Sequence, residues 1–358
     1  MDSLFEPLAF DRGPVLKNRF ILAPLTNLQS HDDGTLSDEE FHWLAMRAQG
    51  GFGLVMTCAA HVQAAGQGFP GQLGVFADHH VEGLSRLAAE IRRHGSLAMV
   101  QLHHAGLRSP PDLIGCAPVS ASDDEKTGAR ALGTAEVEQL AADFVSAAVR
   151  AERAGFDGVQ AHGAHGYVIG QFLSAATNRR SDRYGGSLEN RCRLLFDILR
   201  GIRAKCRPDF LVSVRLSPER FGMKLGESTV MAGMLVDSGL IDLLDMSLWD
   251  AFKQPEEDEF KGQDLLSFFT GFDRGSVRLS AAGMIRSARD AARVMAAGVD
   301  AVTIGRAAIL HHDFPERCRR DPGFEPVALP VSEDYLRSEG LSDKFIGYMR
   351  NWKGFVAE

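Results

Sequence analysis

The stretch "AGFDGV" at residues 154–159 and its near repeat "AGVDAV" at residues 297–302 share one local pattern. In each, a glycine stands where an amphipathic stretch ends, and a short apolar run follows the aspartate. Glycine suits the left-handed conformation that ends many helices, and short apolar runs bounded by turn residues are typical of buried strands. Both stretches therefore predict a helix end, a tight turn and the start of the next strand.

The same alternation extends along the chain. Eight apolar runs are continuous in hydrophobicity, as expected for parallel strands that are covered on both faces. These runs are residues 20–23, 53–57, 97–102, 158–162, 210–216, 241–247, 277–282 and 301–305. The amphipathic stretches that predict helices are residues 41–49, 81–94, 134–154, 187–206, 228–237, 287–297 and 313–320.

Several helix boundaries carry their own signals. Ser37 and Glu40 have the spacing of a capping box before the first long helix. Ser187 is placed to cap the fourth predicted helix. Glycines suited to a left-handed helix end follow five of the helical stretches, namely Gly50, Gly95, Gly155, Gly239 and Gly298.

Eight strand-then-helix units with no linker between them predict one closed (β/α)8 TIM barrel, a single domain over residues 1–358. A doubly wound sheet is the alternative, but no GxGxxG follows the first strand. Three loops are long, at residues 59–76, 106–133 and 249–275, and in a barrel all three lie on the carboxyl face. The third mixes acidic and aromatic residues, and is either a lid or a solvated insertion.

Composition excludes several classes of function. The net charge of −8 argues against a nucleic-acid partner, which needs a concentrated basic surface. The N-terminus has no signal-peptide pattern and no run of 18 apolar residues follows, which predicts a soluble cytoplasmic protein without membrane contact. The five scattered cysteines have no CxxC spacing, which disfavours a disulfide framework, a zinc ribbon and an iron–sulfur cluster.

His162, His165 and Tyr167 form an HxxHxY motif at the tip of the fourth predicted strand, where barrel enzymes place catalytic groups. Histidines three apart can share a metal, although a zinc site needs further ligands and the motif contains none. Alternatively, the two histidines are structural, and their ring nitrogens form hydrogen bonds with backbone groups in a tight turn. In a third interpretation, two imidazoles donate N–H to one carbonyl oxygen while a tyrosine delivers a proton, which is enolate chemistry.

The motif "HGAHGY", followed by "QFLSAATNRRSDRYGGSLENRCR" at residues 171–193, resembles the hallmark of the old yellow enzyme family. These are FMN-dependent ene-reductases, also called the NADH:flavin oxidoreductase family. The similarity extends through "LKNRFILAPLT" (16–26), "VQLHHAGLRS" (100–109), "VSVRLSPE" (212–219), "AAGMI" (281–285) and "TIGRAAI" (303–309). Ordered segments on consecutive predicted strands make the resemblance specific over nearly the whole chain.

The resemblance implies non-covalent FMN binding at the carboxyl face of the barrel. Thr26 would lie near the flavin O4/N5 edge, Arg215 near N1/O2, and Arg306 on the phosphate. Gln101 would bind the pyrimidine ring and Cys58 would be a small residue against the flavin. The full set of implied cofactor residues is Ala23, Pro24, Leu25, Thr26, Cys58, Gln101, His162, Arg215, Gly283, Gly305 and Arg306.

The resemblance also implies a reaction in two halves. NADH or NADPH would reduce the flavin, and an α,β-unsaturated carbonyl compound would then bind in its place. His162 and His165 would hold the carbonyl oxygen, flavin N5 would return hydride to Cβ, and Tyr167 would protonate Cα. A metal-dependent barrel hydrolase and a non-enzymatic flavin-binding protein are the competing functions.

Two regions depart from the family pattern. Many bacterial relatives carry an aromatic residue soon after the first strand, where this chain has Asn27, Leu28 and Gln29. The loop at residues 249–275 has no counterpart that we can place. Tyr348, Trp352 and Phe355 near the C-terminus are expected to dock on the barrel or on a neighbouring subunit of a homo-oligomer.

Overall fold

A computed structural model describes residues 2–357 and contains a closed barrel of eight parallel strands. Each strand pairs with its neighbours in chain order, and the last closes on the first. The strands are β1 (Phe20–Leu22), β2 (Leu54–His61), β3 (Leu97–His103), β4 (Gly158–Gly163), β5 (Leu211–Leu216), β6 (Leu243–Ser247), β7 (Arg278–Ala282) and β8 (Ala301–Ile304). The predicted (β/α)8 fold is confirmed.

One helix of each β/α unit covers the outside of the barrel. These helices are α1 (Asp38–Gln49), α2 (Val81–Arg93), α3 (Thr134–Arg153), α4 (Leu188–Lys205), α5 (Leu225–Asp237), α6 (Ser267–Thr270), α7 (Ala288–Ala296) and α8 (Phe314–Arg320). Further short helices lie at Pro111–Ile114, Val168–Leu173, Arg306–Leu310, Glu333–Ser338 and Asp343–Met349. Single 3₁₀ turns lie at Asp2–Phe5, Ala64–Gly66, Asp78–His80, Gly106–Arg108 and Asp258–Phe260, and a two-stranded pair joins Val119–Ser120 to Arg130–Ala131.

Two of the predicted helix ends need correction. Ser37 does cap α1, because its hydroxyl accepts a hydrogen bond from the Glu40 N–H. The Glu40 side chain, however, turns into the core towards Asn27 and Ser30, so the capping box is only half formed. Gly50 has a φ of −72°, and the left-handed position is taken by Gly51 at +98°. The chain therefore turns one residue later than the pattern predicts.

The inside of the barrel changes character from one end to the other. At the amino ends of the strands an apolar cluster forms from Ile21, Leu54, Met56, Leu97, Met99, Leu211, Leu243 and Ala301, and Leu8, Phe10 and Leu16 of the N-terminal segment close it. Nearer the carboxyl ends the inward residues are polar, among them Gln101, Gln160, Arg215 and Asp245. The barrel is thus sealed at its amino face and polar at its carboxyl face.

The long loop at residues 249–275 is packed against the barrel rather than solvated throughout. Leu265, Leu266 and Phe269 are buried, and Lys253 forms an ion pair at 2.5 Å with the buried Glu219. Trp249 at its start is 54% exposed. None of the helices in residues 2–357 has the length and apolar character needed to span a membrane.

Candidate active site

A cavity of about 440 Å³ opens at the carboxyl face, within the range usual for small-molecule and cofactor sites. Its walls come from the ends of β1 to β8 and from the C-terminal helix Asp343–Met349. Four arginines line it, Arg108, Arg215, Arg286 and Arg306, and among the described residues no aspartate or glutamate does. The acidic chain therefore carries a cavity suited to an anionic ligand.

His162, His165 and Tyr167 meet at this cavity, as the motif predicts. His165 Nδ1 lies 3.3 Å from His162 Nε2, and His165 Nε2 lies 2.8 Å from the Ser247 hydroxyl. The Tyr167 ring is 5.2 Å from the His162 ring. The two imidazoles thus contact each other, so a bound oxygen would have to replace that contact.

Both histidines are neutral at ordinary pH. Burial lowers the pKa of His162 well below its usual value, and the neighbouring His165 adds to the effect. Burial, with Arg215 and Arg108 nearby, lowers the pKa of His165 to about 3. A neutral imidazole carries one N–H, so each ring can donate one hydrogen bond. His162 Nδ1 is buried without a partner among the described residues.

Arg215 and Asp245 anchor a polar network beneath the histidines. Arg215 Nε lies 3.2 Å from Asp245 Oδ2, without a hydrogen-bond geometry. Asp245 also accepts hydrogen bonds from Ser280 at 2.9 Å and Thr303 at 3.0 Å. Burying a guanidinium is costly unless its charge is paired, and Asp245 provides that pairing. Arg215 still lines the cavity, so the buried salt bridge and the cofactor role are compatible.

The ends of β7 and β8 form a basic pocket within the cavity. A Cβ on Gly305 would meet only Leu25, at 3.8 Å, so the backbone is open to a ligand there. The guanidinium groups of Arg306 and Arg286 form no ion pair or hydrogen bond with the described residues, and that of Arg306 lies 5.3 Å over the Trp352 ring. Burial, and then Arg286, lowers the pKa of Arg306. Gly283 packs closely on the loop, since a Cβ there would lie 2.8 Å from the Ala251 nitrogen.

The segment after β1 lines the cavity with Ala23, Pro24, Leu25 and Thr26, as expected. Leu28 does not line it. Tyr348, on the C-terminal helix, does, and lies within reach of the Thr26 hydroxyl. Of the two alternatives left open by the sequence, the structure has Tyr348 and Trp352 on the barrel, where they form an aromatic wall of the cavity.

Cys58 is the one predicted cofactor residue that the structure places outside the cavity; its neighbour Ala59 lines it instead. The pairing of β2 with β3 shifts between Met56 and Ala59, and this bulge rotates the side chains that follow. The Cys58 thiol is fully buried on the helix side, where burial and the nearby Glu40 raise its pKa. The small residue in the cavity is therefore an alanine.

Several site residues were given no role from the sequence: Arg108, Asp245, Ser247, Phe221 and Arg286. An aspartate inside an apolar strand, as in "LLDMS" at residues 243–247, is the one signal that could have revealed Asp245. His103 behind the cavity was also missed. Its ring is buried, stands perpendicular to Tyr167 at 4.3 Å, and has neither nitrogen hydrogen-bonded to a described residue.

The signature "SDRYGGSLENR" at residues 181–191 braces the short helix that follows Tyr167. Asn178, just before it, donates from its side-chain amide to the carbonyls of Phe172 and Tyr184, both at 2.7 Å. Asp182 binds Arg180, which donates to the Ala121 carbonyl at 2.9 Å. Ser187 caps α4. The motif thus acts on Tyr167 indirectly, by fixing its helix.

The family described as NADH:flavin oxidoreductase / NADH oxidase matches residues 3–322. The chain belongs to this family. It is 37% identical over 340 residues to the probable NADH-dependent flavin oxidoreductase YqiG of Bacillus subtilis (strain 168), a match that covers 90% of each protein. It is 32% identical over 318 residues to the NADH oxidase of Thermoanaerobacter brockii, but spans only 49% of that longer protein.

Among solved structures, the old yellow enzyme homologue from Zymomonas mobilis aligns with a TM-score of 0.80 at 30% identity, over 96% of this chain and 99% of that one. This NADH:flavin oxidoreductase family member is therefore an old yellow enzyme relative, an FMN-dependent oxidoreductase with a nicotinamide co-substrate. The open backbone at Gly305 and the two unpaired arginines fit the FMN phosphate. No three His, Cys, Asp or Glu side chains within residues 2–357 are grouped to hold a metal.

Proposed function

We propose that the protein is an ene-reductase that reduces the activated C=C bond of α,β-unsaturated carbonyl compounds with NADH or NADPH. The observation that carries this proposal is the pair of facing nitrogens, His162 Nε2 and His165 Nδ1, 3.3 Å apart in a cavity that also contains Tyr167. Two nitrogens at this separation can both reach one oxygen atom at hydrogen-bond distance.

The residues that would hold FMN surround this pair. Arg306 and Arg286 would bind the phosphate, Gln101 and Arg215 the pyrimidine side of the ring, and Thr26 the opposite edge. Gln101 donates to Gln160 at 2.8 Å, which orients its amide and leaves its oxygen for a ligand N–H. When bound, FMN carries the hydride from the nicotinamide and delivers it from N5 to Cβ of the acceptor.

The chain's own groups would polarise the acceptor and supply its proton. His162 and His165, both neutral, would donate their N–H groups to the carbonyl oxygen, where negative charge develops. Tyr167 would then give its phenolic proton to Cα, which leaves a saturated carbonyl compound. Ser247 hydrogen-bonds His165 Nε2 at 2.8 Å and accepts from Arg215 Nη2 at 3.4 Å, so Arg215 positions His165 through Ser247.

An anaerobic experiment tests the proposal. The purified protein should be yellow, lose its flavin absorbance on addition of NADPH or NADH, and regain it when cyclohexenone is added. A colourless protein that contains zinc would instead indicate a metal-dependent hydrolase. Bleaching that no enone reverses would leave the oxidoreductase activity intact but refute enones as acceptors.

We also propose that residues 1–358 work as one FMN-binding unit in the cytoplasm. All five cysteines are free thiols. That state fits a reducing compartment. Fractionation of cells that express the protein would test the location.

A further inference from the structure

Of the four arginines at the cavity, only Arg108 has no role in the proposed binding of FMN. Arg215 is paired with Asp245, and Arg286 and Arg306 lie at the phosphate end. Arg108 follows β3, on the 3₁₀ turn Gly106–Arg108. Its guanidinium is centred 4.7 Å over the Tyr167 ring. A cation is therefore held beside the proposed proton donor.

The surroundings of Arg108 leave most of its donors free. Its Nη1 donates to the His165 carbonyl at 2.7 Å, which fixes the side chain at the cavity. An arginine side chain has five N–H donors, and the exposed Arg108 guanidinium makes no other hydrogen bond and has no carboxylate within 4.0 Å in the described part of the chain. The guanidinium is therefore oriented by the protein but not neutralised by it.

The turn that carries Arg108 is itself fixed in place. Gly106 has a φ of +63°, and a Cβ there would lie 2.2 Å from the side-chain oxygen of Gln171. Gln171 accepts from the Leu107 N–H at 3.1 Å and donates to the Ala105 carbonyl at 3.1 Å. Gln171 also lies on the helix that Tyr167 precedes. The Arg108 turn and the Tyr167 helix are thus joined through one buried amide.

The mouth of the cavity has the strain expected of a binding site. Phe221, Trp249 and Trp352 line it and are 39%, 54% and 38% exposed. Phe221 and Trp249 have φ values of 52° and 67°, which are rare for residues with side chains. Strained backbone of this kind persists where the surrounding structure enforces it, commonly at ligand sites. The mouth therefore has flat apolar walls beside the Arg108 guanidinium, and Arg220 and Arg306 stack over the Trp249 and Trp352 rings at 4.2 and 5.3 Å.

We propose that Arg108 binds an anionic group of the acceptor, so that the preferred substrates are unsaturated carbonyl compounds with a carboxylate attached close to Cα. This inference rests on the proposed function, because it takes Tyr167 as the group next to Cα. A guanidinium binds a carboxylate through two parallel hydrogen bonds, and this geometry selects an acid over its neutral ester.

The itaconate esters give a matched pair of probes. The monoester that is esterified at the conjugated carbonyl keeps a free carboxylate one carbon from Cα, and dimethyl itaconate is its neutral analogue. Neither is reduced by the oxidised holoenzyme without a nicotinamide, so calorimetry measures binding alone. The variants are Arg108→Gln, Arg108→Lys and, as a control, Arg289→Gln, which removes an exposed charge on α7 outside the cavity.

We expect the wild type to bind the monoester more tightly than the diester. Arg108→Gln should weaken monoester binding about tenfold, the usual effect of losing one hydrogen bond to a charged group, and change diester binding much less. Arg108→Lys should bind the monoester more tightly than Arg108→Gln but less tightly than the wild type, because lysine keeps the charge but lacks the two parallel N–H donors of arginine. Arg289→Gln should change neither constant.

Three results would overturn the inference alone, and a fourth would overturn the proposed function. Equal weakening of both esters would make Arg108 only a support for Tyr167. If Arg108→Gln raised only the KM for NADPH and left monoester binding unchanged, Arg108 would be assigned to a nucleotide phosphate. If neither ester reoxidises the NADPH-reduced enzyme and cyclohexenone also fails, the proposed function fails first. If cyclohexenone succeeds and only the preference for the monoester is missing, the function stands and the inference falls.

Discussion

The two ends of the barrel differ in whether their charged and polar groups have partners. At the amino face, Asp157, Asp242 and Asp300 each stand one residue before a strand and accept a hydrogen bond from a backbone N–H of the preceding strand, at 2.7 to 2.9 Å. Each also has an arginine within 4.0 Å. These aspartates include those of the "AGFDGV" and "AGVDAV" repeats, so the repeated motif joins neighbouring strands.

At the carboxyl face, polar groups are left without partners in the described part of the chain. His162 Nδ1 and both nitrogens of His103 are buried without hydrogen bonds. Arg108 and Arg306 face no carboxylate. The buried histidine nitrogens cost free energy because they have no partner. The two arginines line the cavity, where a ligand can reach them. One end of the barrel therefore stabilises the fold, and the other provides the groups that bind a ligand.

Tyr167→Phe should have the largest effect, and only on catalysis. Loss of the proposed proton donor should slow reoxidation by enones by about 10²- to 10⁴-fold, the usual contribution of general acid catalysis. Reduction by NADPH should be unchanged, and so should the urea midpoint, because the ring keeps its contacts with Arg108 and His103. Stopped-flow measurement of the two half-reactions tests this. Equal slowing of both would remove Tyr167 as the acid.

Asp242→Ala, at the amino face, should lower the stability of the fold and leave catalysis unchanged. Its carboxylate is 5% exposed, binds Arg203 at 2.5 Å, and accepts from the Val212 N–H at 2.7 Å. Breaking a buried ion pair from one side should lower the free energy of unfolding by about 3 kcal/mol. Urea titration measures this change, and the half-reaction rates of the folded protein should remain normal.

The exposed pair of Asp38 and Arg86 provides the control for that experiment. Asp38→Ala should change the free energy of unfolding by less than about 1 kcal/mol, because surface ion pairs contribute little. If Asp242→Ala were as mild as Asp38→Ala, or if it impaired the half-reactions directly, the proposed division between the two faces would be wrong.

Arg306→Ala should weaken FMN binding without weakening the fold. Loss of a charge-assisted contact to phosphate should raise the FMN Kd roughly tenfold to a hundredfold. The urea midpoint of the FMN-free protein should stay the same or rise, because the substitution removes an uncompensated cation. Fluorescence titration of FMN measures the affinity, with the exposed Arg320→Ala as the control. Unchanged affinity would place the phosphate elsewhere.

Acid should destabilise the fold through its buried histidines, two of which lie at the carboxyl face. Burial lowers the pKa of His104 to about 3, and that of His165 also to about 3. Because these pKa values lie below the usual 6.5, the unfolded chain takes up protons first. Stability is therefore full above pH 6.5 and is lost as the pH falls towards 3, by about 1.4 kcal/mol per pH unit for each histidine.

Urea midpoints measured between pH 7.5 and 5.5 test this slope. His104→Gln should make the decline shallower by the contribution of one histidine, whatever its effect on stability at pH 7.5. Its ring contacts Gln63 and the Gly106 N–H, so a general loss of stability is also expected. A slope identical to that of the wild type would show that His104 does not titrate on unfolding.

The strands and the long helices were predictable because burial on both faces leaves a continuous apolar run and each helix carries its own period and caps. The HxxHxY motif was predictable because its three residues lie within six positions on one strand tip. The position of Cys58 was not, since a bulge in β2 depends on how β3 pairs with it. Arg108 and Arg286 come from separate loops, and no local pattern indicates that they share a cavity.

The sequence by itself determined the barrel, its family and the three residues at the tip of β4, because these depend on local periodicity and on neighbours along the chain. The tertiary structure alone decided which charges are paired. Asp245 pairs with Arg215 on the neighbouring strand, whereas Arg108 and Arg306 have no carboxylate partner within residues 2–357. The strength of an ionic contact depends on distance in space and on exclusion of water, and neither can be read from positions along a chain.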